Sequence, residues 1–412
     1  MPEIRMPAAL TMLGLLGGVL TGLILTGSDR GAGVLAVLEP VGTLWLNALQ
    51  ATIVPLVAAL LVGGVLQMAR AAGGGRKALL TLGTFLLLLL GGTLLAAFAT
   101  PALLTAFPIP AAAAAGLAEQ MGALDPGPVP TLAELFGSLV PTNVINAAAQ
   151  TAMLPLVLFF AIFALAMTRL VPAQRDLLAG FFAALANVML VMIGWVLRLA
   201  PIGVFALGAA LGARTGIAAL GLVAHYVAML LAIGTAILAA AYVLAVFGAR
   251  LDLLRFAKAM LPAQTVALST QSSLASLPPM LGAAQNLGVR ERDCEFVLPM
   301  AVAIFRSTGP AMNLAVVIYV AALANVPLTP AVMTVGIAVA MLTTLGSVSL
   351  PGAISFVAAI GPIALAMGVP IAPLALLVAV EVIPDLMRTL ANVTMNVAVA
   401  ATIGRRTSGL ID

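Results

Sequence analysis

A short segment near the carboxyl end of the chain concentrates polar residues whose types and spacing suit ligand binding. In the sequence DLMRTLANVTMN, Asp385 and Arg388 lie three residues apart, and Asn392 and Asn396 follow them. On a helix these four side chains share one face, and Glu381 extends it by one turn. A guanidinium group binds a carboxylate through paired hydrogen bonds, and a carboxylate accepts from an ammonium group. The cluster therefore suits an amino acid that bears a side-chain carboxylate.

This cluster lies in an otherwise apolar region. Between residues 296 and 404, charged side chains occur only at Arg306, Glu381, Asp385 and Arg388. A charge inside a bilayer costs at least a few kcal/mol, so it normally faces a polar cavity on a substrate or ion path. The alternative is an internal pair of Asp385 and Arg388 that only offsets its own desolvation.

Composition restricts the class of protein. The chain is 63% hydrophobic and 8% charged, with a mean hydropathy of +1.21, which a soluble domain could not bury. These values predict a multi-span membrane protein surrounded by lipid. The net charge of +4 reflects basic cytoplasmic loops rather than a phosphate-binding face, so we expect no nucleic-acid partner.

The same composition argues against an enzyme or a metalloprotein. One cysteine, Cys294, and one histidine, His225, cannot form an ordinary zinc or haem site or an internal disulfide. A hydrolase would need a Ser–His or paired-Asp arrangement, and His225 has no partner motif. We expect no enzymatic activity, no cofactor and no metal.

Apolar runs of about 20 residues predict membrane-spanning helices. Six are expected at 8–25, 43–68, 79–106, 138–169, 177–212 and 217–248. Two later segments, 256–284 and 330–368, contain the related motifs SLASLPPM and GSVSLPGA. Helix-breaking residues are tolerated at membrane depth where the backbone faces protein or water. We interpret both segments as re-entrant hairpins followed by helices at about 295–322 and 371–404. The predicted fold is an all-α membrane protein with eight transmembrane helices and two re-entrant helical hairpins.

A hairpin followed by a helix occurs twice, which is the sequence form of an inverted repeat with a binding site near the midplane. The alternative is that both motifs are close-packing helix interfaces. Predicted cytoplasmic segments hold most of the lysines and arginines, whereas the outside loops hold Arg30 and Arg214. We therefore expect a multi-pass protein of a prokaryotic-type inner (plasma) membrane with cytoplasmic termini.

Several segments resemble the glutamate transporter family, the dicarboxylate/amino acid:cation symporters, over nearly the whole chain. They are TIVPLVAALLVG, LVPTNVINAAAQTAMLPLVLFFAIFALAM, APIGVFAL, STQSSLASLPPML, SLPGAI and DLMRTLANVTMN. The resemblance implies a homotrimer of independent protomers. It also implies a scaffold of about 8–68 and 138–212, and a transport domain of about 79–106 and 217–404 that moves like an elevator.

The resemblance also implies roles for individual residues. Asp385 would receive the substrate amino group and Arg388 its side-chain carboxylate. Thr389 and Asn392 would supply polar contacts. The tips of the two hairpins would close over the substrate through Ser272, Ser273, Leu350 and Gly352.

Two departures from the family pattern concern sodium. Aligned without a gap, FRSTG at 305–309 replaces the family's N-M-D-G-T, which puts Arg306 at the Met and Ser307 at the Asp. Asn396 replaces a second Asp of the family's sodium sites. A looser alignment over AMN at 311–313 also removes the Asp. We hypothesise that the Arg306 guanidinium replaces a sodium ion, since sodium needs oxygen ligands, preferably charged ones. The competing interpretation is that Arg306 snorkels or pairs with Glu381 or Asp385.

The expected function is therefore secondary active transport of aspartate or glutamate, independent of sodium. Protons are the alternative driving ion, with Glu381 and Asp385 as candidate carriers, because burial and nearby guanidinium groups act on their charge in opposite directions. Passive carriage and exchange are two further possible modes of transport. The alternatives are a C4-dicarboxylate or neutral amino acid carrier, a sodium-coupled symporter with other ligands, and a channel or sensor on the same fold.

Overall fold

The structure is a computed structural model, and it describes residues 8–25, 29–73, 75–110, 140–216, 218–346 and 352–407. Helices make up nearly all of these residues, and no strand occurs among them, which confirms the all-α class. Segments long and apolar enough to cross a membrane are Gly33–Ala72, Gly75–Ala106, Pro172–Arg198, Ala219–Gly248, Glu291–Leu323 and Val382–Thr407. Shorter apolar helices accompany them, so the chain has the helical content of a multi-pass membrane protein.

The helices are numbered in chain order along the described residues. The amino-terminal half contains α1 (Ala8–Leu25), α2 (Asp29–Gln50), α3 (Ile53–Ala72), α4 (Gly75–Ala106), α5 (Val144–Ala149), α6 (Met153–Met167), α7 (Pro172–Arg198) and α8 (Ala200–Thr215). The carboxyl-terminal half contains α9 (Ala218–Val243), α10 (Leu253–Thr270), α11 (Leu277–Asn286), α12 (Glu291–Ile304), α13 (Gly309–Leu323), α14 (Pro330–Gly346), α15 (Gly352–Ala366), α16 (Ala372–Leu377) and α17 (Val382–Thr407). A π-helical turn, Leu244–Gly248, ends α9.

Three of the long helices expected from the sequence are divided in two. The segment 43–68 falls across α2 and α3, 138–169 across α5 and α6, and 177–212 across α7 and α8. In each case a proline lies in the first turn of the second helix, at Pro55, Pro155 or Pro201. Proline has no N–H group for the preceding turn and constrains the residue before it, so the helix restarts there.

The two helices expected after the hairpins are divided for the same reason. The segment 295–322 is split into α12 and α13 by residues 305–308, and Pro310 follows in the first turn of α13. The segment 371–404 is split into α16 and α17 by residues 378–381, and Pro384 follows in the first turn of α17. Both breaks place polar backbone and side chains deep in the helical array, which positions the site described below.

Helices α1 and α8 pack with their backbones in close contact. Gly14, Gly18 and Gly22 follow one another at four-residue intervals on α1, and each faces a backbone carbonyl of α8. Gly208 and Gly212 of α8 face α1 in return. Small residues at this spacing allow helices to approach until their backbones touch, which is a common device in membranes. Even one methyl group at Gly22 would collide with the carbonyl of Ala209.

Helix α17 lies at the centre of the carboxyl-terminal half. Helices α9, α10, α11 and α12 pack around it, and α13 packs against α4, α14 and α15. From Ala391 to Gly404 every residue of α17 is buried. Helix α10 packs against α11 and α14 packs against α15, and α14 also packs against α3. The polar stripe of α17 is therefore enclosed by protein at Arg388, Asn392 and Asn396.

Candidate functional site

Arg388 is the centre of a buried polar network. Its side chain projects from α17 with 9% exposure. The Nε group donates to Glu381 Oε1 at 2.9 Å, and Nη1 donates to Asn313 Oδ1 at 2.8 Å. The third nitrogen, Nη2, is buried and has no hydrogen-bond partner among the described residues. A guanidinium nitrogen can only donate, so Nη2 is a free donor for an anionic ligand.

Glu381 is the anionic partner of this arginine. It lies just before the start of α17, is 3% exposed, and accepts a second hydrogen bond from the Tyr226 hydroxyl of α9 at 3.2 Å. The sequence left open an internal pair of Asp385 and Arg388. The structure instead pairs Arg388 with Glu381 at 2.9 Å. A buried ion pair of this kind needs the additional hydrogen bonds that Tyr226 and Asn313 supply, because its desolvation is costly.

Asp385 and Arg306 form the less enclosed part of the site. Both side chains are partly exposed. The Asp385 carboxylate makes no hydrogen bond or ion pair among the described residues and lies within the electrostatic influence of Arg388 and Arg306. Arg306 comes from the break between α12 and α13, so the structure brings it to the charged cluster of α17. An unpaired carboxylate beside two guanidinium groups suits a ligand that carries an ammonium group.

The break between α12 and α13 is fastened to α17 by Asn392. The Asn392 Oδ1 atom accepts from Ser307 Oγ at 3.0 Å, from Thr308 Oγ1 at 3.1 Å and from the Thr308 backbone N–H at 3.0 Å. The Thr308 N–H belongs to a helix start and has no partner within its own helix. All three donors use the amide oxygen, so the Asn392 amide nitrogen, which is a donor, takes no part in these hydrogen bonds.

The other polar positions of the stripe are buried without equivalent partners. Thr389 is buried beside Arg388. Asn396 is fully buried, and neither its amide oxygen nor its nitrogen has a hydrogen-bond partner among the described residues. Leaving an amide unpaired in this way is costly, so such groups usually hydrogen-bond to a water molecule or bind an ion. No group of three or more His, Cys, Asp or Glu side chains suited to a metal occurs in the described part of the chain.

The hairpin residues expected at the site are only partly described. Ser272 and Ser273 lie in the turn between α10 and α11 and are partly exposed. The hydrogen bonds of Ser272 are local: Oγ accepts from the Ala275 N–H at 3.2 Å and the carbonyl accepts from Ser276. Gly352 begins α15. Leu350 lies outside the described residues.

Two members of the network were missed in the sequence, Asn313 and Tyr226. Asn313 is 4% exposed on α13, which is otherwise apolar apart from Tyr319. Tyr226 is fully buried on α9. The sequence did offer one signal: Asn313 and Tyr226 are polar side chains in helices that are largely apolar. The distance along the chain hides their pairing, because only packing brings α9, α13 and α17 together.

His225 and the ion pairs of Asp293 lie outside this network. Its Nδ1 lies 3.1 Å from the Tyr319 hydroxyl and its Nε2 lies 3.0 Å from the Phe107 carbonyl oxygen, so the ring joins α4, α9 and α13. Both ring nitrogens of His225 thus have polar partners, which fits a structural role in helix packing. Elsewhere, Lys77 and Arg290 both bind Asp293, which fastens α4 to α12.

The charges of the site balance without a ligand. Arg306 and Arg388 are two cations, and Glu381 and Asp385 are two anions. An acidic amino acid has one net negative charge, so it would leave the enclosed site with an uncompensated anion. Burying such a charge is strongly unfavourable. A ligand with one net negative charge would therefore bring one uncompensated charge into this site.

Comparison with known proteins agrees with this chemistry. A model of the sodium:dicarboxylate symporter family matches residues 8–406. The proton/sodium-glutamate symport protein of Bacillus subtilis is 26% identical, over 97% of this chain and 92% of its own. The proton/glutamate-aspartate symporter of Escherichia coli is 30% identical, over 65% of this chain and 61% of its own. The C4-dicarboxylate transport protein of Leptothrix cholodnii is 26% identical, over 69% of this chain and 63% of its own. The chain thus spans less than two thirds of the last two relatives.

Proposed function

Because the chain belongs to the sodium:dicarboxylate symporter family, a family of multi-pass membrane transporters, we propose that it carries aspartate or glutamate across the membrane. One observation carries this proposal. The Arg388 guanidinium is buried, held at Nε and Nη1, and has a free Nη2 donor among the described residues. Together with the Asp385 carboxylate and the amide nitrogen of Asn392, it offers complementary groups for the side-chain carboxylate, the ammonium and the α-carboxylate.

Protons drive this transport, and Glu381 carries them. The incoming carboxylate and the Glu381 carboxylate compete for the same guanidinium, since Glu381 occupies its Nε edge. A proton on Glu381 removes that competition and returns the site to neutrality. Tyr226 keeps Glu381 paired in either state, because a phenol donates to a carboxylate and accepts from a carboxylic acid. One proton therefore accompanies each substrate molecule.

Sodium is not required in this scheme. Arg306 supplies a permanent positive charge at the break between α12 and α13, within electrostatic reach of Asp385. Ser307 contributes its hydroxyl to Asn392 and carries no charge that a cation would neutralise. A fixed guanidinium replaces a dissociable sodium ion at this point. Asn396 belongs to the same proposed ion region, where its unpaired amide can hold a water molecule.

The proposed movement follows the two packing groups. Close contacts between α1 and α8 suit a fixed scaffold (8–68 and 138–212), whereas α4 and α9 to α17 enclose the site and suit a transport domain (79–106 and 217–404). The transport domain moves as an elevator within each protomer of a trimer in the inner membrane, with both termini cytoplasmic. The hairpin tips, at Ser272, Ser273, Leu350 and Gly352, close over the substrate, and Thr389 lines its pocket.

Carriage of a C4 dicarboxylate is the second candidate, because one similar protein is named for that activity and Arg388 would bind such a substrate equally. A C4 dicarboxylate has no ammonium group for Asp385. Succinate would therefore leave this carboxylate unpaired, which favours an amino acid.

Reconstitution in liposomes tests the proposal. We expect radiolabelled L-aspartate to accumulate under an inward proton gradient and to ignore a sodium gradient. Excess succinate should compete weakly and excess L-glutamate strongly. Arg388→Lys keeps the charge but loses the planar fork, and we expect it to abolish accumulation. Accumulation that follows sodium would refute the coupling, and strong competition by succinate alone would favour the second candidate. Current or signalling without saturable uptake would indicate a channel or sensor.

A further inference from the structure

Asn313 holds the side of the Arg388 guanidinium that Glu381 does not. It projects from α13, whereas Glu381 lies in the turn just before α17, so the two partners approach the arginine from different elements. The Asn313 Oδ1 atom accepts from Nη1 at 2.8 Å, and Glu381 Oε1 accepts from Nε at 2.9 Å. Because a guanidinium is a rigid plane, two anchors on different nitrogens fix its orientation and thereby the direction of Nη2.

The chemistry of the two anchors differs. An arginine can only donate, so the oxygen of the Asn313 amide must face it, and this acceptor carries no net charge. Glu381 accepts in a similar way but also neutralises the guanidinium. The arginine therefore has two hydrogen-bond acceptors, of which only Glu381 is negatively charged. An aspartate at position 313 would hold it with two negative charges and would repel a substrate carboxylate.

We propose that Asn313 is a positioning and specificity-determining residue, which aims Nη2 of Arg388 at the substrate carboxylate and, by its neutrality, leaves Glu381 as the only acidic partner of that arginine among the described residues. This inference rests on the proposed transport of acidic amino acids and adds a residue to its binding site. Neutrality at position 313 sets how many protons must accompany one substrate carboxylate.

The groups that face this arginine define what a charge at position 313 would meet. Glu381 and Asp385 are the nearby acids, and Arg306 is the second cation, from the break before α13. Tyr226 contributes its hydroxyl from α9, and Tyr319 of α13 lies near it. Among the described residues these are the titratable and charged groups around the pair of Glu381 and Arg388.

Aspartate exchange tests the role of Asn313, because exchange needs no ion gradient. Liposomes loaded with unlabelled L-aspartate take up labelled L-aspartate, and the KM is measured from neutral to mildly acidic pH. The variants are Asn313→Ala, Asn313→Asp and Asn313→Gln. The control is Gln264→Ala, which removes another partly buried amide that binds Thr394 of α17 outside the site.

We expect Asn313→Ala to raise the KM about tenfold to a hundredfold at every pH, the usual loss for a hydrogen bond to a charged group. Asn313→Gln should restore part of this loss, and Gln264→Ala should leave the KM unchanged. Asn313→Asp should raise the KM near neutrality. Because one extra proton must bind, the KM of this variant should fall on acidification by up to about tenfold more per pH unit than the KM of the wild type. Recovery at acidic pH also shows that the variant is folded.

Three outcomes overturn the inference. An unchanged KM in Asn313→Ala refutes the positioning role while leaving the proposed function intact. Parallel pH profiles in Asn313→Asp and Asn313→Ala refute the charge role, since a merely structural loss would not depend on pH. Absence of aspartate exchange in the wild type refutes the proposed function itself and this inference with it, so the two failures are distinguishable.

Discussion

The substitution Glu381→Gln should leave aspartate binding and exchange intact but remove their dependence on protons. In the wild type, Arg388 Nε donates to Glu381 Oε1 at 2.9 Å. Glutamine preserves the shape of the side chain, and its amide oxygen can still accept this hydrogen bond. It removes the negative charge and the ability to carry a proton. The substrate carboxylate then takes the place of the Glu381 carboxylate as the anion paired with Arg388, so aspartate should bind without a proton.

The size of the effect follows from counting protons. In the wild type, binding of one proton with each aspartate lowers the apparent KM by up to about tenfold per unit of acidification, over the range in which Glu381 titrates. Lower pH outside favours the protonated, binding-competent form, and higher pH depletes it. In Glu381→Gln the KM should be independent of pH over the same range. A gradient of one pH unit represents about 1.4 kcal/mol per proton, which supports roughly tenfold accumulation in the wild type and none in the variant.

Stability gives an independent readout of the same change. Removing one partner of a buried ion pair leaves an uncompensated charge and commonly costs about 3–5 kcal/mol. Aspartate supplies the missing anion, so it should raise the melting temperature of Glu381→Gln more than that of the wild type.

The assay combines exchange, proton-driven accumulation and thermal unfolding on the same preparation. Glu295→Gln is the matched control, because Glu295 is an exposed glutamate on α12 and should change none of these quantities. Proton-driven accumulation and a pH-dependent KM that both persist in Glu381→Gln would refute the role of Glu381 as the proton carrier.

Three further substitutions test other parts of the structure. Arg306→Met should weaken aspartate binding when sodium is absent, measured by the KM for exchange; an affinity unchanged with and without sodium would contradict the replacement of sodium by this guanidinium. Asn392→Ala removes the acceptor of three hydrogen bonds at the break and should abolish exchange while the protein remains soluble in detergent, whereas normal exchange would show that the break is held by other contacts. Gly22→Ala should destabilise the protein by about 1–3 kcal/mol in thermal unfolding, because the methyl group meets α8 backbone, whereas Gly83→Ala faces open space and should not; equal stability of the two would refute the backbone contact.

The sequence predicted the all-α membrane class and the polar stripe because both depend on composition and local periodicity. Asp385, Arg388, Asn392 and Asn396 lie on one helix, and their shared face follows from helical spacing alone. The identity of the ion pair did not follow. Glu381 lies before the helix begins, and its pairing with Arg388 depends on how the preceding turn folds.

The helix breaks show why a hydropathy window was insufficient. A window of about 20 residues measures apolar content and ignores the missing N–H group of proline. Pro310 and Pro384 lie at helix starts, yet Pro262 and Pro299 lie inside helices without interrupting them. Proline alone therefore marks candidate breaks, and the tertiary contacts decide which are used. At 305–308 the deciding contact is the amide of Asn392, which takes up the backbone N–H that the break exposes.

The hydrogen-bond partners that lie far away along the chain could not be predicted from the sequence for a related reason. Asn313 and Tyr226 are single polar residues in apolar helices, and nothing near them in the chain indicates a charged partner. Their roles depend on the packing of α9 against α17 and on the hydrogen bonds that Tyr226 and Asn313 make with Glu381 and Arg388. The glycine spacing of α1 was a readable local signal, GLLGGVLTG, that predicts close helix packing, although its partner α8 could be identified only in the structure.

The proton count on substrate binding tests the charge balance around Arg388 most directly. Calorimetric titration of the purified wild-type protein with L-aspartate, in two buffers of different ionisation enthalpy, gives the number of protons bound with each aspartate. We expect one proton taken up per aspartate near neutral pH, with no dependence on sodium. Aspartate binding without proton uptake, or only when sodium is present, would contradict the coupling of Glu381 and Arg388 to the substrate carboxylate.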